Sequence, residues 1–195
     1  TSRLFTVEKG ATLALTGNGT IEFGALYPDT DWGTEGFPAY ATNTIANSGT
    51  LVIDGPTLIN TTPRGGASYV IDNYAGASLT VNSGTIKQTG DDVAIRMNTA
   101  TAGETYANTL IINGGTISGR RAIWIHLAGS ASTTAPYVNL TVNGGTLTTT
   151  DVNDRNLAIY SYSYGNSFAN VKATFNGGTI NGKTEFGATG SYAKT

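Results

Sequence analysis

Short segments in which apolar and polar residues alternate recur along the chain. In four of them the apolar residues lie two positions apart: Leu79 and Val81, Leu110 and Ile112, Leu140 and Val142, Ala173 and Phe175. Side chains alternate across a β-strand, so this period predicts strands with one buried face. The helical period is not seen anywhere in the chain, and the pattern therefore predicts an all-β protein.

Each alternating segment leads into a corner signal. An Asn comes first, then one or two Gly, then a Thr and an aliphatic residue; the Asn residues are Asn82, Asn113, Asn143 and Asn176. Gly and Asn tolerate the positive φ that a sharp corner requires, so the signal predicts a strand, a corner and a second short strand. The unit has six copies about thirty residues apart: Thr12–Ile21, Thr50–Leu58, Ser78–Ile86, Thr109–Ile117, Asn139–Leu147 and Lys172–Ile180.

A third strand repeats at the same interval. The sequences YVIDN (69–73), VAIRM (93–97), RAIWI (121–125) and LAIYS (157–161) align on a central Ile. Three strands in about thirty residues describe one coil of a parallel β-solenoid, whose coils stack at ~4.8 Å with like residues above like. Stacked Asn residues then form a hydrogen-bonded ladder, and inward Ile and Leu residues form aliphatic stacks. The alternative is a β-sandwich or barrel with Gly-rich turns, which would not repeat the same corner at each period.

These repeats resemble the right-handed parallel β-helix proteins of the pectate-lyase-like superfamily, which carry asparagine ladders and aliphatic stacks. The resemblance extends over roughly residues 5–186. It implies an all-β, single-stranded right-handed parallel β-helix of about six coils, with three short strands per coil. One domain would span residues 1–195, with an N-terminal cap region at 1–10 and a C-terminal tail or cap at 184–195. The superfamily includes polysaccharide lyases and hydrolases, phage fibres and bacterial adhesins, so the fold alone does not select a function.

The composition narrows the classes of partner. Charged residues make up 12% of the chain, and a net charge of −2 gives no basic surface for nucleic acid. No apolar run approaches the ~18 residues of a membrane span, so we expect neither nucleic-acid binding nor membrane insertion. The absence of Cys excludes disulfides and thiolate metal sites. Because the first residue is Thr1, we interpret the chain as a fragment or processed part of a longer protein.

One segment, TGDDVAI (89–95), resembles an enzyme motif. It is similar to the Gly-Asp-Asp element of the polygalacturonase-type glycoside hydrolases, in which paired carboxylates act as acid and base. That resemblance implies Asp91 and Asp92 as active groups, with His126 or Arg96 beside them. The family's Asn-Thr-Asp, Gly-His-Gly and Arg-Ile-Lys elements, however, do not occur in this chain.

The alternative interpretation of the Asp pair is structural. Asp92, Arg120 and Asn156 fall one repeat apart in the alignment, so they would form an exposed acid–base–amide ladder at the start of the third strand. We favour this ladder, and with it a protein that is not an enzyme. A polysaccharide-degrading enzyme stays open as the alternative function.

A second acidic stretch, YPDTDWGTEG (27–36), has oxygen ligands at alternate positions. Asp29, Asp31 and Glu35 are spaced like the start of a calcium-binding loop. The later bidentate Glu of such a loop is missing, and Gly33 stands where a ligand is usual. We therefore expect no cofactor here, and keep a Ca²⁺ site as the alternative to a solvated acidic loop.

The third strand carries the clearest binding signal. Next to its central Ile, the outward positions form two columns: Asp72, Arg96, Trp124 and Tyr160, then Tyr74, Asn98, His126 and Tyr162. Aromatic rings beside hydrogen-bonding groups suit a sugar, whose apolar faces stack while its hydroxyls bond. The alternative is that these rings cover the sheet or pack against a neighbouring domain or a second subunit, as in a homotrimer.

The function that these patterns favour is a non-catalytic β-helix that binds a glycan or a host-surface protein receptor. Its expected ligand-binding residues are Asp72, Tyr74, Arg96, Trp124, His126, Tyr160 and Tyr162. By resemblance, its context would be a phage fibre or a bacterial adhesin, hence extracellular, at the cell surface or on a virion. A purely structural fibre or virion module is the further alternative.

Overall fold

The protein is all-β over the part of the chain that the structure describes. A computed structural model describes residues 2–24, 42–62, 68–98, 107–128, 138–151, 156–164 and 171–186. These residues form seventeen strands: β1 (Ser2–Val7), β2 (Thr12–Thr16), β3 (Thr20–Phe23), β4 (Thr42–Asn47), β5 (Thr50–Asn60), β6 (Ile71–Asn73), β7 (Ser78–Gln88), β8 (Val93–Asn98), β9 (Asn108–Ile112), β10 (Thr116–Gly119), β11 (Arg121–Ala128), β12 (Val138–Val142), β13 (Thr146–Thr149), β14 (Leu157–Tyr164), β15 (Val171–Phe175), β16 (Thr179–Asn181) and β17 (Lys183–Phe186). Within these ranges there is no helix that could cross a membrane.

The strands form two parallel sheets in which each strand pairs with its equivalent in the next repeat. A seven-stranded sheet has the order β1-β4-β6-β8-β11-β14-β17. A ten-stranded sheet contains the other strands and is strongly curled, because the long strands β5 and β7 each pair along both halves. In the seven-stranded sheet, every residue of β4 and β6 is buried, whereas β8 and β11 also carry partly exposed side chains.

The register between repeats is the one that the sequence predicts. The Thr of each corner signal pairs with the next along the whole ten-stranded sheet, in the order Thr20, Thr57, Thr85, Thr116, Thr146 and Thr179. In the seven-stranded sheet the central Ile residues pair in the order Ile71, Ile95, Ile123 and Ile159. All four Ile side chains are fully buried in the core, so the predicted aliphatic stack is confirmed.

The predicted asparagine ladder is also confirmed. Asn113 Nδ2 donates to Asn82 Oδ1 at 2.9 Å, Asn143 to Asn113 at 2.8 Å, and Asn176 to Asn143 at 2.7 Å. This ladder lies at the exposed corner of the ten-stranded sheet. A second set of amides is buried: Asn47 Nδ2 donates to Asn73 Oδ1, and Asn73 Nδ2 to Asn108 Oδ1. These amides satisfy polar groups where the chain leaves the seven-stranded sheet.

Candidate binding face

The two predicted columns lie on neighbouring strands of the seven-stranded sheet. Asp72 pairs with Arg96, Arg96 with Trp124, and Trp124 with Tyr160. In the second column Asn98 pairs with His126 and His126 with Tyr162, whose side chain lies outside the described part of the structure. We call the surface formed by Tyr69, Asp72, Arg96, Trp124, His126 and Tyr160 the Trp124 face.

An ion pair anchors one end of this face. Arg96 Nε donates to Asp72 Oδ1 at 2.8 Å and Arg96 Nη2 donates to Asp72 Oδ2, so the contact is bidentate. Asp72 is fully buried and also accepts a hydrogen bond from Asn43 Nδ2 at 3.2 Å. Burial alone would lower the pKa of Arg96, but the hydrogen bonds and charge of Asp72 raise it above its ordinary value. Asp72 lies in the same row as Arg96, as the sequence predicts, but its side chain is fully buried there and holds Arg96 in place.

Aromatic rings lie next to this ion pair on the Trp124 face. The guanidinium carbon of Arg96 lies 4.4 Å from the centre of the Tyr69 ring, a cation–π contact. Tyr69 meets Trp124 edge to face, with ring centres 6.0 Å apart, and Trp124 lies 4.7 Å from the His126 ring. Trp124 is partly exposed, and its Nε1 has no hydrogen-bond partner among the described residues.

Arginines contact Tyr160, at one end of the Trp124 face, and Tyr74, which lies next to its other end. The guanidinium carbon of Arg121 lies 4.7 Å from the ring centre of Tyr160, which is partly exposed. At the other end Arg3 Nη2 donates to the Tyr74 hydroxyl at 3.3 Å. Burial and then the charge of Asp72 raise the pKa of Tyr74 above its ordinary value. Tyr74 therefore borders the ion pair rather than the Trp124 ring system.

His126 is neutral over the physiological range. Burial, and then the positive charge of Arg96, lower its pKa to about 4, although Asp72 opposes the shift. Its Nδ1 lies 3.4 Å from Asn98 Oδ1. Burial raises the pKa of Tyr69, with the carboxylates of Asp92 and Asp72 adding to the shift. The face thus presents neutral rings beside a compensated ion pair.

Tyr69 is not among the site residues that the sequence predicts. Its position is equivalent to Val93 and Arg121 in the neighbouring repeats, because Val93 pairs with Arg121 and the adjacent Ile residues align. Val93 and Arg121 are the first residues of β8 and β11, whereas Tyr69 lies two residues before β6 begins. The signal available in the sequence was that this position varies between repeats, from Tyr69 to Val93 to Arg121, whereas the central Ile does not.

The carboxylates of the enzyme-like stretch are held by different partners. Asp92 Oδ1 accepts from the backbone N of Val93 at 2.8 Å, and Asp92 Oδ2 from that of Ser68 at 3.0 Å. Asp91 is exposed at a φ of 67°, and its Oδ1 lies 4.0 Å from Arg120 Nε. Asp92 therefore fixes the turn that precedes β8.

The predicted acid–base–amide ladder has the expected register but not the expected acid. The backbone N of Arg120 donates to the Asp92 carbonyl at 2.9 Å, which agrees with a spacing of one repeat. The ion pairs of the Arg120 side chain, however, run to Asp91 and, at 3.3 Å, to Asp151 Oδ2. Asn156 lies at the same turn in the next repeat, exposed, with a φ of 52°.

The predicted calcium ligands Asp29, Asp31 and Glu35 lie outside the described residues. Among the residues that are described, no three His, Asp or Glu side chains are grouped so that they could hold a metal ion.

Comparison with known proteins gives no relative for this chain. No protein-family model, no curated protein and no solved structure matches it. The function must therefore be argued from the geometry of the Trp124 face.

Proposed function

We propose that the parallel strands form one single-stranded right-handed β-helix of about six coils, with three short strands per coil. The support is the register: each of the three strands in a repeat pairs only with its counterparts in the adjacent repeats. The asparagine ladder and the stack of central Ile residues are features that such coils produce. In this arrangement the Trp124 face runs along the stacking direction.

The function that the geometry supports best is non-catalytic binding of a glycan at the Trp124 face. The observation that carries this proposal is the partly exposed indole of Trp124, which lies in one row with Arg96 and Tyr160. Tyr69 and His126 hold this ring in place from two sides. A partly exposed indole offers the apolar face of a sugar ring a surface to stack on.

The proposed mechanism is passive recognition on a rigid surface. Strand pairing fixes the backbone of Trp124 and Tyr160, and the Asp72–Arg96 pair fixes the adjacent end of the face. Side chains that are already ordered lose little conformational entropy when a ligand binds. By its resemblance to β-helix fibres and adhesins, we place the protein on a virion or cell surface.

Binding to glycan arrays with matched variants tests this function. We expect wild-type protein to bind at least one glycan, and Trp124→Ala to abolish that binding while its circular dichroism spectrum stays unchanged. Phe175→Ala is the control, because Phe175 is also an exposed aromatic residue but lies on β15 of the other sheet. Equal binding by Trp124→Ala and wild type would overturn the proposal.

The enzyme alternative needs its own measurement. Release of reducing ends or unsaturated sugars from a bound polysaccharide, lost in Asp92→Asn, would show a depolymerase. We expect no such release, since both carboxylate oxygens of Asp92 accept backbone N–H groups, one from Val93 and one from Ser68 in the preceding repeat.

A further inference from the structure

The first repeat contains an Asn-Gly pair that lies outside the asparagine ladder. In three later repeats the ladder Asn directly follows the alternating segment and precedes a Gly, in Asn113-Gly114, Asn143-Gly144 and Asn176-Gly177. In the first repeat Leu15 is followed by Thr16, and the Asn comes two positions later, as Asn18 before Gly19. Both residues are exposed and lie between β2 and β3. The same dipeptide therefore occurs in two different environments.

The three ladder pairs are held by the preceding repeat. Each Asn Nδ2 donates to the preceding Asn of the ladder at 2.7–2.9 Å. The N–H groups of Gly114, Gly144 and Gly177 donate to backbone carbonyls of that repeat at 3.3–3.4 Å. A Cβ added to any of these glycines would lie 2.6–2.7 Å from the carbonyl oxygen of the preceding ladder Asn. Neither the side chain nor the backbone of a ladder pair can move without disturbing its neighbour.

The pair in the first repeat has none of these contacts within the described residues. β2 and β3 pair with β5 alone among the described strands, so only one side of this corner is covered. A Cβ added to Gly19 would meet no described atom within 4 Å. The carbonyl oxygen of Gly19 accepts from the backbone N of Thr57, which leaves its N–H on the open side.

This freedom matters because an Asn-Gly pair can rearrange without an enzyme. The backbone N of the Gly bonds to the Asn Cγ, the Cγ–Nδ2 bond breaks, and Nδ2 leaves as ammonia with the proton of the attacking amide. Water then opens the cyclic imide to aspartate or isoaspartate. Glycine favours the attack because it has no Cβ to obstruct it. A pair that is held by hydrogen bonds must first open locally, which lowers the rate.

We infer that Asn18 is a site of spontaneous deamidation in the folded protein, and that stacking on the preceding repeat protects the Asn-Gly pairs of the ladder. Solvent exposure alone does not separate the two groups, since Asn113, Asn143 and Asn176 are exposed as well. The modification converts a neutral amide into a carboxylate at a corner of the ten-stranded sheet. It is independent of glycan binding, because the Trp124 face belongs to the other sheet.

The test follows each Asn-Gly peptide by mass spectrometry while the protein is kept in mildly alkaline buffer. In the folded protein Asn18 should deamidate at least about ten-fold faster than Asn113, Asn143 or Asn176, since reaction there does not require the loss of ladder bonds. In guanidinium chloride, which unfolds the chain, the four rates should become similar. Gly19→Ala is the matched variant: it should slow the reaction of Asn18 several-fold and leave the ladder rates unchanged. The open space at Gly19 accepts the added Cβ, and circular dichroism checks that the fold is kept.

Three results would overturn the inference. Deamidation of a ladder Asn as fast as that of Asn18 in the folded protein would show that stacking does not protect. An Asn18 that stays intact in the folded protein, while the unfolded chain reacts, would show that this corner is not a modification site. A preference for Asn18 that persists in guanidinium chloride would assign the difference to the local sequence rather than to the fold.

Discussion

The asparagine corner and the Trp124 face are built on the same repeats but use them in opposite ways. At the corner, identical residues stack, and each Asn bonds the one before it at 2.7–2.9 Å. On the Trp124 face, the same stacking brings different residues together, as with Arg96 and Trp124. Stacking in register thus yields a uniform ladder where the sequence repeats and a mixed chemical surface where it does not. Recognition chemistry is therefore expected at the positions that vary.

The largest effect should come from the ion pair of the Trp124 face. Arg96→Met leaves the fully buried carboxylate of Asp72 without its bidentate partner. Breaking a buried ion pair by removing one member costs about 3–5 kcal/mol, and we expect a loss of that size in the free energy of unfolding. Urea denaturation followed by circular dichroism measures it.

A control variant and a double variant are compared with Arg96→Met. Lys87→Met removes an exposed charge from β7 and should change stability by less than about 0.5 kcal/mol. Adding Asp72→Leu to Arg96→Met should recover much of the loss, since the unpaired charge is then gone. A small loss in Arg96→Met alone would show that the face is not anchored by this pair.

The next largest loss of stability is expected at a corner that packs on the preceding repeat, compared with a corner that does not. Gly145 has a φ of +85°, and an added Cβ would lie 2.8–3.0 Å from backbone atoms of Gly114 and Gly115. Gly17 has a φ of +86° but no atom within 4 Å of such a Cβ. Left-handed backbone costs an Ala about 1–2 kcal/mol, so both variants should lose this amount.

Gly145→Ala should lose more than Gly17→Ala because it adds a clash with the preceding repeat. We expect the difference to be about 1–3 kcal/mol, the usual range for overpacking. Thermal or urea unfolding of the two variants measures it directly. Equal losses would mean that the repeats are not stacked as closely at the corner as the backbone distances indicate.

The sequence predicts the repeating part of the molecule well and the varying part less well, for a physical reason. Ile71 and Ile95 pair as expected because alternation and equal spacing determine which residues stack. The burial of Asp72 could not be predicted, since alternation gives the side of the strand but not which neighbours cover it. Tyr69 lies two residues before β6 begins, outside the strand to which alternation applies.

A smaller loss of stability is expected when one Asn of the ladder is replaced. Asn143 bonds both Asn113 and Asn176, whereas in the described part of the chain Asn82 accepts only from Asn113. Each such bond contributes about 0.5–1.5 kcal/mol, and the ladder is exposed, so Asn143→Ala should cost about 1–2 kcal/mol and Asn82→Ala about half of that. Chemical denaturation of both variants tests the order. If Asn82→Ala cost as much as Asn143→Ala, the ladder would not explain the recurrence of Asn.

The smallest effect is the dependence of stability on the protonation of His126. Its pKa is about 4 in the folded protein, against an ordinary value of 6.5, because of burial and the charge of Arg96. Between these values the unfolded chain binds a proton that the folded chain does not, so folding loses stability as the pH falls from 6.5 towards 4. Since His126 is partly exposed to solvent, we expect a loss of only about 1 kcal/mol. Carboxylates also titrate in this range, so the measurement is the difference between wild type and His126→Gln. The stability of wild type relative to His126→Gln should fall as the pH falls, and a relative stability that stays constant would place His126 in a more hydrated environment than the Trp124 face provides.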